Sequence, residues 1–266
     1  MAAIAFAALA TACGGGSTGN ESGAAGQWSP TVSDTWQWQL SGNVNTVYNV
    51  TVYDIDLFDT PQTTIDRLKA QGRRVVCYFS AGSKEDWRPD ASEFSASDLG
   101  RPLDGWAGER WLDTRSANVR AIMKKRLALA ASKGCHGVEP DNIDAYTNGP
   151  GLPLNASTQL AYNRFLAKEA HALGLAIGLK NDVNQVAELA PDFDFAVNEQ
   201  CHQFNECGVY AAFASSGKPV FNAEYQSRWR NDAAARERLC QAARAAGLRT
   251  LVLPMELDDR FRLSCD

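Results

Sequence analysis

From residue 35 onward, short runs rich in aromatic and β-branched residues alternate with longer stretches whose apolar positions recur every three to four residues. The first pattern is that of strands, the second that of amphipathic helices. Eight runs read as strands: 35–42 (TWQWQLSG), 47–56 (VYNVTVYDID), 73–82 (RRVVCYFSAG), 134–142 (GCHGVEPDN), 175–182 (LAIGLKND), 193–201 (FDFAVNEQC), 219–225 (PVFNAEY) and 250–258 (TLVLPMELD). Helices fit between several of them. One opens at Thr60 and Pro61 and stops at Gly72, a second runs from Ser116 to Gly134, a third from Asn155 to Gly174, and a fourth precedes the last strand. Their ends carry the capping chemistry expected of helices, a small polar residue or proline at the start and glycine at the stop. Strands that alternate with helices in this way predict an α/β fold, a TIM (β/α)8 barrel in a single domain, with a doubly wound open sheet as the alternative. No glycine-rich phosphate loop follows the first strand, which weighs against the alternative.

Each predicted strand starts apolar and ends polar. Asp54 and Asp56 close the second, Ser80 the third, Glu139 and Asp141 the fourth, Lys180, Asn181 and Asp182 the fifth, Asn198 and Glu199 the sixth, Asn222 and Glu224 the seventh, and Glu256 with Asp258 the eighth. In a barrel the C-terminal strand ends share one face, where such enzymes keep their chemistry. Glu139 and Asp141 have the same parity, so both are expected to point into the mouth while Val138 packs outward. Asp144 is expected to cap or brace the following loop. Like charges gathered at one mouth cost stability unless they have a cationic partner or a chemical task.

Residues 1–34 read as a signal-like apolar segment followed by a Gly/Ser-rich linker, ahead of a domain at 35–266. The run ATAC before GGGS is similar to a bacterial lipoprotein signal, with Cys13 as the residue to be lipidated; ordinary secretion is the alternative. Either reading exports the chain, to the cell surface, the periplasm or the medium. No later run is long enough to cross a bilayer, so membrane contact is expected only through a lipid. Six cysteines remain after Cys13, an even set that suits an oxidising compartment. The expected pairs are Cys201–Cys207, Cys240–Cys265 and Cys77–Cys135, with free buried thiols as the alternative for the last. A net charge of −5 with scattered Lys and Arg gives no stripe for nucleic acid.

Three histidines without ligand spacing argue against a histidine-bound zinc, although strand-end carboxylates could hold Mg²⁺ or Ca²⁺. No GxSxG elbow is present. Paired carboxylates remain, and glycoside hydrolysis needs two of them. Trp36, Trp38, Tyr53, Tyr78, Trp87, Trp106, Trp111, Tyr146 and Tyr225 fall near strand ends or in the long third loop, where flat rings can stack on sugars.

The runs WQWQLSG, VYDIDLFDT, VVCYFSAGSKEDWRPD, GERWLDTRS, GCHGVEPDNIDAY, AIGLKND, DFAVNEQC and NAEY, in this order, resemble glycoside hydrolase family 114, the endo-α-1,4-polygalactosaminidases. The resemblance covers the chain from about Trp36 to its end. It implies a TIM barrel that cuts α-1,4-linked galactosamine polymers or partly deacetylated galactosaminogalactans, with no cofactor or required metal. Matched by position, the catalytic pair is Asp141 of EPDN and Glu199 of VNEQC. By analogy with other barrel glycosidases, Asp141 is expected as nucleophile and Glu199 as general acid/base in a retaining reaction. Asp54, Tyr78, Lys180, Asn181 and Glu224 are expected around the substrate, Trp36 and Gln37 at the edge. Glu139, Asp54 and Glu224 are expected to pair with substrate ammonium groups. The chain is read as a monomer that meets a cationic polysaccharide. A non-catalytic polysaccharide-binding barrel, a metal-dependent hydrolase and a hydrolase of another α-linked polymer stay open as alternatives.

Overall fold

The computed structural model describes residues 27–266. Its strands are β1 (Trp36–Gln39), β2 (Val52–Asp56), β3 (Arg74–Ser80), β4 (Ser83–Glu85), β5 (Leu99–Pro102), β6 (Glu109–Leu112), β7 (Gly137–Asp141), β8 (Ala176–Lys180), β9 (Phe195–Glu199), β10 (Val220–Glu224), β11 (Leu248–Val252) and β12 (Leu263–Ser264). The helices are α1 (Gln62–Ala70), α2 (Ala117–Lys133), α3 (Ala156–Ala172), α4 (Val186–Leu189), α5 (Cys201–Phe204), α6 (Ala211–Ala214), α7 (Ser227–Asn231) and α8 (Ala233–Ala245). Nine strands form one curled sheet in the order β1-β2-β3-β7-β8-β9-β10-β11-β12, parallel throughout except for β12.

Strand alternation sorts the side chains into two layers. Trp36, Trp38, Val52, Val76, Ala176, Phe195, Val197, Phe221, Ala223 and Leu251 pack together inside the curl. Tyr53, Ile55, Val75, Cys77, Val138, Ile177 and Ala196 belong to the other layer, which meets apolar helix residues such as Ile65, Leu127 and Leu166. Aromatic bulk fills the inside, and it demands space opposite: a Cβ on Gly178 would lie 2.4 Å from the Phe195 ring. Side chains and loops link the first and last parallel strands. Trp36 Nε1 donates to the Arg249 carbonyl at 2.8 Å, Arg262 donates to the Trp36 carbonyl at 2.8 Å, and Leu40 N donates to the Leu257 carbonyl at 3.0 Å.

The expected capping is observed on the long helices. Ser116 accepts from the N–H groups of Asn118 and Val119 at the start of α2, and Gly134 (φ 75°) ends it. Asn155 and Thr158 form a reciprocal cap on α3. All three expected disulfides form: Cys77–Cys135, Cys201–Cys207 and Cys240–Cys265. Residues 27–34, read above as linker, lie against the sheet. Gln27 donates to the Leu175 carbonyl at 3.2 Å, and the Trp28 ring stands 6.2 Å from that of Phe195, at the N-terminal end of the strands. Cys13 lies outside the described residues.

The structure departs from the sequence reading in three places. The last parallel strand spans Leu248–Val252 rather than 250–258, because Pro254 cannot donate to a ladder, and Glu256 and Asp258 therefore belong to the following loop. The long third loop contains an antiparallel sheet, β4-β6-β5, that the pattern did not announce. Between β8 and β10 the helices are single turns, α4 to α6, and the Cys201–Cys207 bridge closes the loop that carries α5.

Candidate active site

Three neighbouring strands end on residues with left-handed backbone: Asn142 (φ 60°) after β7, Asn181 (47°) and Asp182 (48°) after β8, and Gln200 (64°) after β9. A residue in this conformation turns the chain aside at once, so the last inward side chain of the strand stays at the rim. Those last inward residues are Asp141, Lys180 and Glu199.

Lys180 is the hub. Its side chain is 2 % exposed, and Nζ lies 2.8 Å from Glu139 Oε1, 3.1 Å from Asp141 Oδ1 and 3.4 Å from Glu199 Oε2. The same nitrogen stands 4.7 Å from the centre of the Trp38 ring, a cation–π contact. Burial works against the ammonium, but the charges of Asp141, Glu139 and Glu199 outweigh it and hold the pKa well above the usual lysine range. Lys180 is therefore a fixed positive charge shared by three carboxylates.

Asp141 is held from three sides. Tyr78 Oη donates to Oδ2 at 2.8 Å, Asn142 N donates to Oδ1 at 2.7 Å, and Lys180 supplies the charge. Burial and the Asp141 charge push the Tyr78 hydroxyl well above its ordinary pKa, so it remains a donor. Glu199 takes a hydrogen bond from Tyr225 Oη at 2.5 Å and a longer one from Asn181 Nδ2 at 3.3 Å. The Tyr225 hydroxyl is likewise raised, by burial and by Glu199. Asn181 Oδ1 accepts from Glu199 N at 2.9 Å, which ties the end of β8 to the end of β9.

Beneath this pair lie Asp54 and Glu139, 1 % and 0 % exposed. Among the described residues neither oxygen of Asp54 has a hydrogen-bond partner. Burial first, and the neighbouring Glu139 charge second, raise the Asp54 carboxyl well above its usual range. Glu139 in turn holds Lys180, its Oε1 accepting from Nζ at 2.8 Å.

The loop after β3 is locked to the same place. Ala81 N and Gly82 N donate to the Asp141 carbonyl at 2.8 and 3.0 Å, and a Cβ on Gly82 would lie 1.7 Å from the Asn142 carbonyl oxygen. Asn142 Nδ2 donates to Ser80 Oγ at 2.9 Å, and Ser83 Oγ donates to Glu109 Oε2 at 2.6 Å. Burial pushes the Glu109 carboxyl up to about 7. The sheet β4-β6-β5 thus stands as one wall of a cleft of about 520 Å³, with Trp106 and Trp111 on that wall, Leu40, Met255 and Leu257 opposite, and Asp141, Lys180 and Glu199 at the floor.

The structure brings together Asp141, Glu199, Tyr78, Lys180 and Asn181 of the residues singled out from sequence. It places five others elsewhere. Trp36 is fully buried and stacks on Phe221 at 5.0 Å, deep inside the curl. Gln37 has the opposite parity and pairs with Arg262 and Asp259 on the outer layer. Glu224 also faces outward, where it accepts from His202 N at 2.8 Å. Glu139 and Asp54 are too deep to meet a substrate ammonium, and Glu139 is paired with Lys180 instead. Trp38 and Tyr225, which stood only among the general aromatics, belong to the group; counting parity from Phe221 and Ala223 selects Tyr225 rather than Glu224. Asp144 braces its loop through its carbonyl, which accepts from Thr147 and Asn148. The grouping of Cys201, His202 and Cys207 is no metal site, because its two sulfurs are bonded to each other.

Two carboxylates over a curled parallel sheet, in a cleft walled by indole rings, are the equipment of a glycoside hydrolase. The comparisons agree: residues 17–266 match glycoside hydrolase family GH114, and the chain belongs to that family. It is similar to Aspergillus fumigatus Ega3, solved in complex with galactosamine, at 43% identity over 90% of this chain and 98% of that one, with a TM-score of 0.85. The glycoside hydrolase domain of PelA from Pseudomonas aeruginosa shares the fold at 17% identity, over 86% of this chain and 98% of that one, with a TM-score of 0.68. A protein of Deinococcus radiodurans is 27% identical over 84% of this chain and 81% of its own length.

Proposed function

We propose that this enzyme cuts within chains of α-1,4-linked galactosamine, with Asp141 as nucleophile and Glu199 as general acid/base, over a closed (β/α)8 barrel. The observation that carries the mechanism is the shared lysine. Two oxygens held 3.1 and 3.4 Å from one nitrogen can be separated by at most the sum of those distances, about 6.5 Å. That limit binds only the oxygen of each carboxyl nearest the lysine; a pair drawn this close onto one cation suits the about 5–5.5 Å of retaining enzymes better than the about 6.5–9.5 Å of inverting ones. Asp141, gripped by Tyr78, Asn142 N and Lys180, is aimed for attack on the anomeric carbon. Glu199 protonates the departing glycosidic oxygen as the bond to Asp141 forms. It then takes a proton from water, whose oxygen displaces Asp141 and releases the sugar with its original configuration.

The substrate follows from the likeness to Ega3 and its galactosamine complex. A chain of net charge −5, with Asp141, Asp144, Glu109 and Glu199 around its cleft, also suits a polymer of ammonium-bearing sugars. The three disulfides fit an exported protein. Among the described residues no helix is long and apolar enough to cross a membrane, and we read Cys13 as the point of lipid attachment.

The test is digestion of polygalactosamine, with products sized by mass spectrometry. Wild type is expected to release oligosaccharides of several lengths. Asp141→Asn and Glu199→Gln each lower kcat by about a thousandfold or more while the far-ultraviolet dichroism is unchanged. Near-normal rates in both variants would refute the assignment, and binding without products would make the barrel a carbohydrate-binding module.

A further inference from the structure

A second lobe of about 220 Å³ opens beside the catalytic pair. Glu199, Asn181 and Asp144 line both lobes, whereas Asp141, Tyr78 and Lys180 line the main one alone. The asymmetry has a stereochemical meaning. The nucleophile must stand against the anomeric carbon of the sugar under attack, so that sugar occupies the main lobe. The acid must reach the oxygen that joins this sugar to the departing one, so the departing sugar lies on the far side of Glu199.

We propose that the second lobe is the leaving-group subsite and takes one amino sugar of the departing chain. The inference rests on the substrate proposed above and adds the residues that choose the sugar beyond the cut. Phe204, 59% exposed, offers a ring at the rim of the lobe for the C–H face of a pyranose. Glu206 lines the same lobe and offers a carboxylate to a 2-ammonium group. Asp182, 2% exposed, accepts from Asn163 through Oδ2 at 2.9 Å, while its Oδ1 has no hydrogen-bond partner among the described residues.

The wall is built to hold its shape. Cys201 and Cys207 bracket Phe204 and Glu206 in a bridge across six residues. Gln200 and Asn205 turn the loop with left-handed backbone, and Glu224 anchors it from beneath through His202 N. A wall fixed before binding spends less ordering entropy on the sugar it receives.

The experiment compares two substrates of the intact enzyme, polygalactosamine and α-galactosaminyl fluoride, whose fluoride leaving group places no sugar in the second lobe. In Phe204→Ala and Glu206→Gln the ratio of kcat/KM on the polymer to kcat/KM on the fluoride is expected to fall about tenfold in each. Transfer of galactosaminyl units onto added galactosamine is expected to fall with it, since the acceptor occupies the same lobe. A ratio within about twofold of wild type in both variants overturns the proposal, as does a parallel loss on both substrates. If wild type leaves polygalactosamine intact but cuts another polymer, the substrate proposal fails on its own. The same ratio, measured with that polymer and its glycosyl fluoride, then decides the lobe.

Discussion

Lys180→Met removes the cation that three carboxylates share and keeps a side chain of similar length. The partner that suffers most is Glu139, because the pair is buried on both sides, 2% and 0% exposed, and solvent cannot screen the loss. Leaving one member of a buried ion pair without its partner costs about 3–5 kcal/mol. For a domain of this kind, with a total stability of about 5–15 kcal/mol, that is a large share. The cost depends on pH, and its sign follows from which group can neutralise itself. Burial already pushes the Glu139 carboxyl up to about 7, and without Lys180 it rises further. Below that value Glu139 takes a proton and the orphaned charge disappears. In the wild type the raised Lys180 pKa keeps the ammonium, and the stability it confers, through neutral pH; that contribution is lost only as pH climbs through the raised value. Urea unfolding of both proteins near pH 5 and near pH 8 measures the difference. The variant is expected to be less stable by about 3–5 kcal/mol near pH 8 and by clearly less near pH 5. An equal deficit at the two pH values, or one below about 1 kcal/mol near pH 8, would mean that Lys180 does not carry the load assigned to it.

Three further outcomes are expected. Gly82→Ala forces the backbone at Asn142 to move, since the new Cβ would lie 1.7 Å from its carbonyl oxygen; a displacement of about 1 Å beside Asp141 is expected to cost about a hundredfold in kcat, read from steady-state kinetics. Asp182, raised to about 8 by burial and then by Asp144, favours the folded state most below the ordinary aspartate range and loses that contribution as pH climbs towards 8. Asp182→Asn should therefore flatten the fall of Tm from mildly acidic to mildly alkaline pH in calorimetry, and an unchanged slope would count against the shift. Removing the Cys77–Cys135 bridge, which spans 58 residues, is expected to cost about 4 kcal/mol, against about 2 kcal/mol for Cys201–Cys207 with its span of six; urea midpoints in the reverse order would refute the loop-entropy argument.

Much of the site was legible because strand parity and polarity coincide. Glu139 and Asp141 share a face, as the spacing requires, and Lys180 and Glu199 close their strands on the same side. The errors have physical causes. Glu224 is expected at the substrate from the family resemblance, but alternation points it at the outer layer and gives the rim to Tyr225. Trp36 is expected at the edge of the substrate, but aromatic rings near strand ends serve either a ligand or a core, and composition cannot separate the two. Depth was likewise invisible: Asp54 and Glu139 lie below the rim, and only the structure shows that Glu139 is paired with a lysine. The sheet β4-β6-β5 escaped notice because its strands are three or four residues long and rich in charge, too short for a periodicity to register.

The contact of Gln27 and Trp28 with the N-terminal end of the strands sets an orientation. The cleft opens at the C-terminal ends of the same strands, so the chain enters the domain at the pole opposite its chemistry. An enzyme held by residues ahead of Gln27 would face outward from whatever holds it, its cleft turned to passing polymer and its floor to the anchor.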